Sequence, residues 1–149
     1  MVVSALRNTL LDVNMQDSDG FTAIMRAAHY GYLEVVTILL DDERVDPNVA
    51  SATGKTSLIL ATEEAHASVV AQLLADPRVL RNAVTTAGRT ALMSGARTRQ
   101  GRQSLALRML LNDPLVDCNI RDENGDSALM LAAELGNLDT VYQLRRWVV

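Results

Sequence analysis

The side chains best suited to chemistry in this sequence are two adjacent carboxylates and a nearby histidine: Glu63, Glu64 and His66. Carboxylates and imidazoles are common ligands of zinc and related ions, so the trio raises the question of a metal site. Successive residues on a helix point in different directions, however, and no third ligand is evident. We therefore interpret the trio as solvated surface and expect no bound metal.

Other arrangements that support catalysis are missing from the sequence. There is no Ser, His and Asp set on elements that would converge, no glycine loop of the phosphate-cradling kinds, and no His or Cys cluster at metal-ligand spacing. We therefore predict that the protein is not an enzyme and has neither catalytic residues nor a cofactor.

A cluster of arginines gives the second half of the chain a locally positive segment. Arg97, Arg99 and Arg102 follow each other closely, and Arg89 precedes them. Guanidinium groups bind carboxylates and phosphates through paired hydrogen bonds, so this segment would suit an anionic ligand. The pattern is equally typical of a solvated loop, since loops tolerate insertions. Both interpretations stay open.

A second group combines basic and aromatic side chains: Arg26, His29, Tyr30 and Tyr32. Tyrosine and arginine are enriched among the residues that contribute most to binding at protein interfaces. The group is therefore a candidate contact surface for a partner. The alternative is that Tyr30 and Tyr32 merely cover a turn between helices.

Both groups belong to a tandem repeat. The motif GFTAI returns as GKTSL, GRTAL and GDSAL, beginning at Gly20, Gly54, Gly88 and Gly125. Each copy predicts two short amphipathic helices, in the first copy from Thr22 to about His29 and from about Leu33 to Leu40. Helices this short are marginal alone, so neighbouring copies must stack. The glycines are expected at positive φ, and the following Thr or Ser as a helix N-cap.

The strings TAIMRAA, TSLILAT, TALMSGA and SALMLAA resemble the inner-helix start of ankyrin repeats, which have a T-P-L-H motif and a period of about 33 residues. The resemblance implies an all-α fold, an ankyrin-repeat α-solenoid with β-hairpin-like loops between helix pairs. The loop tips would hold residues 17–20, 51–54, 85–88 and 122–125.

Partners of such proteins usually bind across the tips and the concave face of the inner helices. With the two groups above, this implies the partner-binding candidates Asp19, Phe21, Arg26, His29, Tyr30, Tyr32, Lys55, Glu63, Arg89, Arg97, Arg99, Arg102, Glu123 and Asp126.

The chain departs from the family pattern at two positions of that motif. The family's proline is replaced by Ala or Ser, which removes a preset φ from the helix start. The family's histidine is replaced by Met25, Ile59, Met93 and Met130. We expect apolar packing between repeats at this second position, because methionine adapts to irregular gaps.

We expect residues 1–149 to form a single domain. It divides into a half repeat or cap at 1–16 and repeats at 17–50, 51–84, 85–116 and 117–149, the third with a three-residue insertion between its helices. The apolar residues Val2, Val3, Leu6 and Leu10 in the half repeat are consistent with a piece of a longer array or with a natural cap. If they are exposed, we expect end-to-end self-association.

Composition narrows the function classes. A net charge of −4 argues against a nucleic-acid binder that relies on overall positive charge. No run approaches the roughly 20 apolar residues of a membrane span, so membrane insertion is not expected. One cysteine, Cys118, favours a reducing compartment and hence an intracellular, cytoplasmic or nuclear location.

The function predicted from these features is a scaffold or adaptor that binds another protein. Two alternatives remain: a regulatory or targeting segment of a larger multidomain protein, and a binder of an anionic ligand through the arginines of the third repeat.

Overall fold

The computed structural model describes residues 11–98 and 104–147. Within these ranges there are eight α-helices and no strand, so the all-α prediction is confirmed. None of the described helices is long and apolar enough to cross a membrane. The helices are α1 (Ala23–Tyr30), α2 (Leu33–Leu40), α3 (Ser57–Glu63), α4 (Ala67–Ala75), α5 (Ala91–Arg97), α6 (Leu105–Asn112), α7 (Ala128–Glu134) and α8 (Leu138–Leu144).

The helices form two layers. Helices α1, α3, α5 and α7 lie side by side as the inner layer, and α2, α4, α6 and α8 form the outer layer. Alanines 28, 61 and 96 are fully buried, which lets backbones approach closely, and Leu73, Leu107 and Leu110 fill the space around them. Each helix pair therefore buries its apolar faces against its neighbours, as expected of a solenoid.

Hydroxyl caps begin every inner helix, as predicted. The side chains of Thr22, Thr56, Thr90 and Ser127 each accept a hydrogen bond from the backbone N–H three residues later. The preceding glycines have positive φ, which is also confirmed. At Gly54 a Cβ would lie 2.8 Å from the backbone nitrogen of Thr86 in the next repeat, so glycine is required there for space as well as for conformation.

Asparagine side chains link successive repeats on the outer side. The Asn48 amide donates to the Arg78 carbonyl at 2.8 Å and accepts from the Leu80 N–H at 2.8 Å. Asn82 makes the same pair of bonds one repeat later, to Leu115 and Asp117. Asn14 makes the corresponding pair one repeat earlier, to Arg44 and Asp46. Each asparagine thus satisfies backbone groups of the following loop.

Two arginines of the second repeat have structural roles that the sequence did not indicate. Arg78 donates to the carbonyls of Val45 and Leu40 at 3.0 and 2.8 Å. Arg81 pairs with Asp113 at 3.1 Å, where both side chains are almost fully buried. They join loops that are more than 30 residues apart in sequence, so they stabilise the stacking of repeats.

The packing expected at the family's histidine position holds for three repeats and is wrong for the fourth. Met25, Ile59 and Met93 are 0%, 1% and 1% exposed, whereas Met130 is 46% exposed. Each of the first three inner helices has a following inner helix packed against it, whereas no described helix packs beyond α7. The predicted half repeat, with Val2, Val3, Leu6 and Leu10, lies largely outside the described residues, so end-to-end self-association stays a prediction.

Candidate partner-binding groove

The four loop tips share one geometry. The first tip residue donates its N–H to a carbonyl four residues later, as in Ser51 to Lys55 at 2.9 Å, and its side chain accepts from an N–H in the same turn. Neighbouring tips are joined by backbone hydrogen bonds, for example from the Thr86 N–H to the Thr53 carbonyl at 3.0 Å. The tips are therefore a connected edge of the structure rather than four independent loops.

A charged cluster occupies the tip of the first repeat. Arg26 pairs with Asp17 at 2.6 Å and with Asp19 at 3.3 Å, and its guanidinium carbon lies 4.4 Å from the centre of the Phe21 ring. The Phe21 N–H and then the Arg26 guanidinium hold the pKa of Asp17 below its usual value. Three of the predicted residues, Asp19, Phe21 and Arg26, are therefore brought into contact.

Aromatic rings continue from this cluster along α1. The ring of His29 lies 6.5 Å from that of Phe21 and 4.9 Å from that of Tyr30, and Tyr30 stacks on Tyr32 at 5.8 Å. The two tyrosines remain 56% and 59% exposed although they flank the turn at Gly31. They therefore offer ring surface to solvent beside the inner helices.

His29 is held on both sides by the second repeat. Its carbonyl lies 2.9 Å from His66 Nε2, and its own Nδ1 lies 3.8 Å from a Glu64 carboxylate oxygen. The second distance is too long for a hydrogen bond, so Nδ1 has no hydrogen-bond partner among the described residues. Among the same residues, no group of three or more His, Cys, Asp or Glu is arranged to hold a metal ion.

A pocket of about 520 Å³ lies where the tips of the second and third repeats face α3 and α5. Four predicted residues line it: Lys55, Glu63, Arg89 and Arg97. Lys55 pairs with Glu63 at 2.7 Å, and Arg89 reaches Asp122 in the fourth repeat at 3.4 Å. Arg97 is exposed at the end of α5 and has no ion-pair partner in the part of the chain that the structure describes.

The match to known families decides how this groove is classified. The family described as ankyrin repeats (3 copies) matches residues 2–83 and 68–146, which together cover nearly the whole chain. The chain belongs to the ankyrin repeat family. Ankyrin repeats are in general protein interaction modules without catalytic activity. No curated protein matches the sequence.

In this ankyrin array, the structure brings four of the predicted residues to one pocket and places six others in a chain of contacts along the first repeat. Glu123 and Asp126 lie in the tip of the fourth repeat, where Glu123 is exposed and its N–H donates to the Ala87 carbonyl at 3.0 Å. Arg99 and Arg102 lie outside the described residues. The segment between α5 and α6 spans residues 98–104, whereas the segment between α3 and α4 spans only 64–66.

Sequence reasoning missed the two acids that organise the outer ankyrin tips, Asp17 and Asp122. The Asp122 side chain is 1% exposed and accepts from the Asn124 and Asp126 N–H groups at 2.9 and 3.0 Å. The Asp126 N–H above all, with Arg89 contributing less, lowers the pKa of Asp122. The signal was available, because an Asp five residues before a helix N-cap repeats at both positions.

Proposed function

We propose that this ankyrin-repeat chain is a scaffold or adaptor that holds a segment of a partner protein in the groove between its tips and its inner helices. The proposal extends the general role of the family to a particular surface. That surface combines exposed tyrosine rings on the first repeat with a charged pocket on the second and third.

The observation that carries the proposal is the pocket lined by Lys55, Glu63, Arg89 and Arg97. Its remaining lining includes the hydroxyl residues Thr53, Thr85, Thr86, Ser94 and Thr98. Charged groups and hydroxyls at a concave surface give orientation and specificity to a bound chain. The neighbouring tyrosines add rigid apolar contact area, which is the usual source of affinity at such interfaces.

The proposal is tested by affinity capture from a cell lysate with matched variants. Tyr30→Ala with Tyr32→Ala alters the aromatic part, and Arg97→Glu alters the pocket. Arg108→Glu is the control, because Arg108 is exposed on the outer helix α6. We expect one set of proteins to be retained by the wild type and the control and lost by the groove variants. Equal capture by all four proteins would contradict binding through this groove.

The exposed Arg97 also supports a second candidate, the binding of a phosphate-containing ligand such as a phosphoinositide or nucleic acid. Against it, Arg97 is the one cation of this pocket without an ion-pair partner among the described residues, because Lys55 pairs with Glu63 and Arg89 with Asp122. Such binding would weaken steeply with salt, since exposed charges are screened beyond about 10 Å at 0.1 M ionic strength. Titration with inorganic phosphate and with phosphoinositide vesicles at two salt concentrations separates this candidate from peptide binding.

A further inference from the structure

Two positions in every repeat flank the groove. The tip row contains the residue immediately before each inner-helix N-cap: Phe21, Lys55, Arg89 and Asp126. The helix row contains the seventh residue after that N-cap: His29, Glu63, Arg97 and Glu134. Because the repeats share one backbone geometry, a residue of the tip row faces the residue of the helix row in its own repeat.

In the first two repeats the facing residues satisfy each other. Phe21 and His29 make an edge-to-face ring contact with centroids 6.5 Å apart. Lys55 and Glu63 form an ion pair at 2.7 Å. These two contacts show that the rows are close enough for direct interaction within a repeat.

In the last two repeats the facing residues carry the same charge. The third repeat places Arg89 opposite Arg97, and the fourth places Asp126 opposite Glu134. Arg89 turns to Asp122 of the next repeat instead, at 3.4 Å. Among residues 11–98 and 104–147, no ion-pair partner is found for Arg97, Asp126 or Glu134. The groove therefore presents a positive site and, one repeat further, a negative site.

We infer that the groove takes an extended segment of the partner protein with an acidic residue over the third repeat and a basic residue over the fourth. The inference rests on the proposed function and specifies its ligand. The acid would lie in the pocket between Arg89 and Arg97, where Ser94 and Thr98 supply hydroxyl groups. The base would lie between Asp126 and Glu134.

The spacing of the two residues follows from helix packing. Neighbouring inner helices pack at roughly 8–10 Å, so the two charged sites are about that far apart. A polyproline II segment rises about 3.1 Å per residue with three residues per turn. Residues i and i+3 then point to the same side about 9 Å apart. A β-strand does not match as well, because its i and i+3 side chains point to opposite faces. The acidic and basic residues are therefore three positions apart.

The test is selection of a displayed random-peptide library on the purified chain. We expect wild-type selections to be enriched in peptides with an acid and a base three residues apart in one fixed order. The double charge reversal Arg97→Glu with Glu134→Lys should lose this pattern, because each change places opposite charges face to face, as in the Lys55–Glu63 pair. The matched control, Arg108→Glu with Asp139→Lys, changes exposed residues of the outer helices α6 and α8 in the same two repeats and should select the wild-type pattern.

Binding of one selected peptide then measures each site. Exposed ion pairs contribute little individually, so Arg97→Gln should weaken binding about two- to fivefold and Arg97→Glu about tenfold. Circular dichroism checks that the variants fold. If the charge-reversal variant does not fold, Arg97→Gln still tests the site, because it introduces no new charge.

The outcomes separate this inference from the function on which it rests. An enriched pattern that does not change in the double reversal, or that lacks the acid and base at this spacing, overturns the inference and leaves groove binding standing. The absence of any enriched peptide overturns peptide binding in the groove and the inference with it.

Discussion

The ninth residue after the inner-helix N-cap gives a stability test in which three equivalent positions should respond differently. Gly31, Ala65 and Gly136 occupy this position in the first, second and fourth repeats, with φ of 76°, 57° and 64°. Left-handed backbone costs a residue with a side chain roughly 1–2 kcal/mol, whereas glycine adopts it freely. Ala65 therefore carries strain that its two counterparts avoid.

The surroundings of the three residues set the magnitudes. At Gly136 a Cβ would have no atom within 4 Å, so Gly136→Ala should lower the free energy of unfolding by about 1 kcal/mol through the backbone alone. At Gly31 a Cβ would lie 2.6 Å from Nδ1 of the His66 ring. The ring must move and lose its hydrogen bond to the His29 carbonyl, which adds about 1 kcal/mol. Ala65→Gly should raise the free energy of unfolding by up to about 1 kcal/mol.

Urea and thermal unfolding followed by far-ultraviolet circular dichroism measure these differences. For a chain of this size about 1 kcal/mol corresponds to roughly 2–4 °C in Tm. His66→Ala removes the obstructing ring, so Gly31→Ala in that background should cost no more than Gly136→Ala. Equal costs for Gly31→Ala and Gly136→Ala in the wild-type background would refute the steric argument. A loss of stability in Ala65→Gly would refute the strain argument.

Three further predictions concern stacking and pH. Asn48→Ala should cost about 1–3 kcal/mol in urea unfolding because two hydrogen bonds to the next repeat are lost. Asn119 precedes the fourth tip as Asn48 precedes the second, but its side chain is exposed, so Asn119→Ala should cost under about 0.5 kcal/mol. Equal costs would contradict the linking role. Leu58→Asp places a charge at a position that is 2% exposed and should unfold the centre of the array, and an unchanged Tm would exclude that packing. Arg44 lowers the pKa of Asp42 to about 2, so the stability from this pair is complete above the unfolded-state pKa of about 3.9 and is lost as pH falls toward 2. Asp42→Asn should reduce the fall in Tm over that range, and an identical profile would contradict the assignment.

The parts of the fold that sequence reasoning predicted correctly depend on short-range contacts. The cap of Thr22 requires only the N–H of Met25, three residues later. The turn at Gly54 depends on the hydrogen bond between its N–H and the Ser51 carbonyl. Such interactions are determined within one copy of the repeat, so the recurrence of the motif was sufficient to place them.

The parts that were not predicted are contacts between copies. Arg78 reaches the Leu40 carbonyl, 38 residues earlier, and nothing in the local sequence distinguishes it from an ordinary surface arginine. The prediction that Met130 packs between repeats was wrong for the same reason. Burial at this position depends on a neighbouring helix and not on the helix that carries Met130. The asparagine links were within reach, since Asn14, Asn48 and Asn82 recur at the repeat period and carry both a donor and an acceptor.

The same distinction, between contacts within one repeat and contacts between repeats, applies to the candidate site. The facing of Lys55 and Glu63 follows from the motif once one repeat is known, because both residues lie in a single copy. The pairing of Arg89 with Asp122 does not follow from the motif, because it requires the relative placement of two tips. Residues 99 and 102, the remainder of the arginine group, stay a prediction.

The separation of these two kinds of position explains how the array can vary its groove without losing its fold. Caps and asparagine links recur because they satisfy backbone groups of the repeats, and the turn glycines recur because the turns require positive φ. The side chains of the tip and helix rows have no such shared backbone partner among the described residues. One facing pair can therefore be aromatic, another an ion pair, and two others like-charged. A substitution such as Arg97→Glu should therefore alter partner choice while the fold persists, since Arg97 is exposed and no described residue forms an ion pair with it.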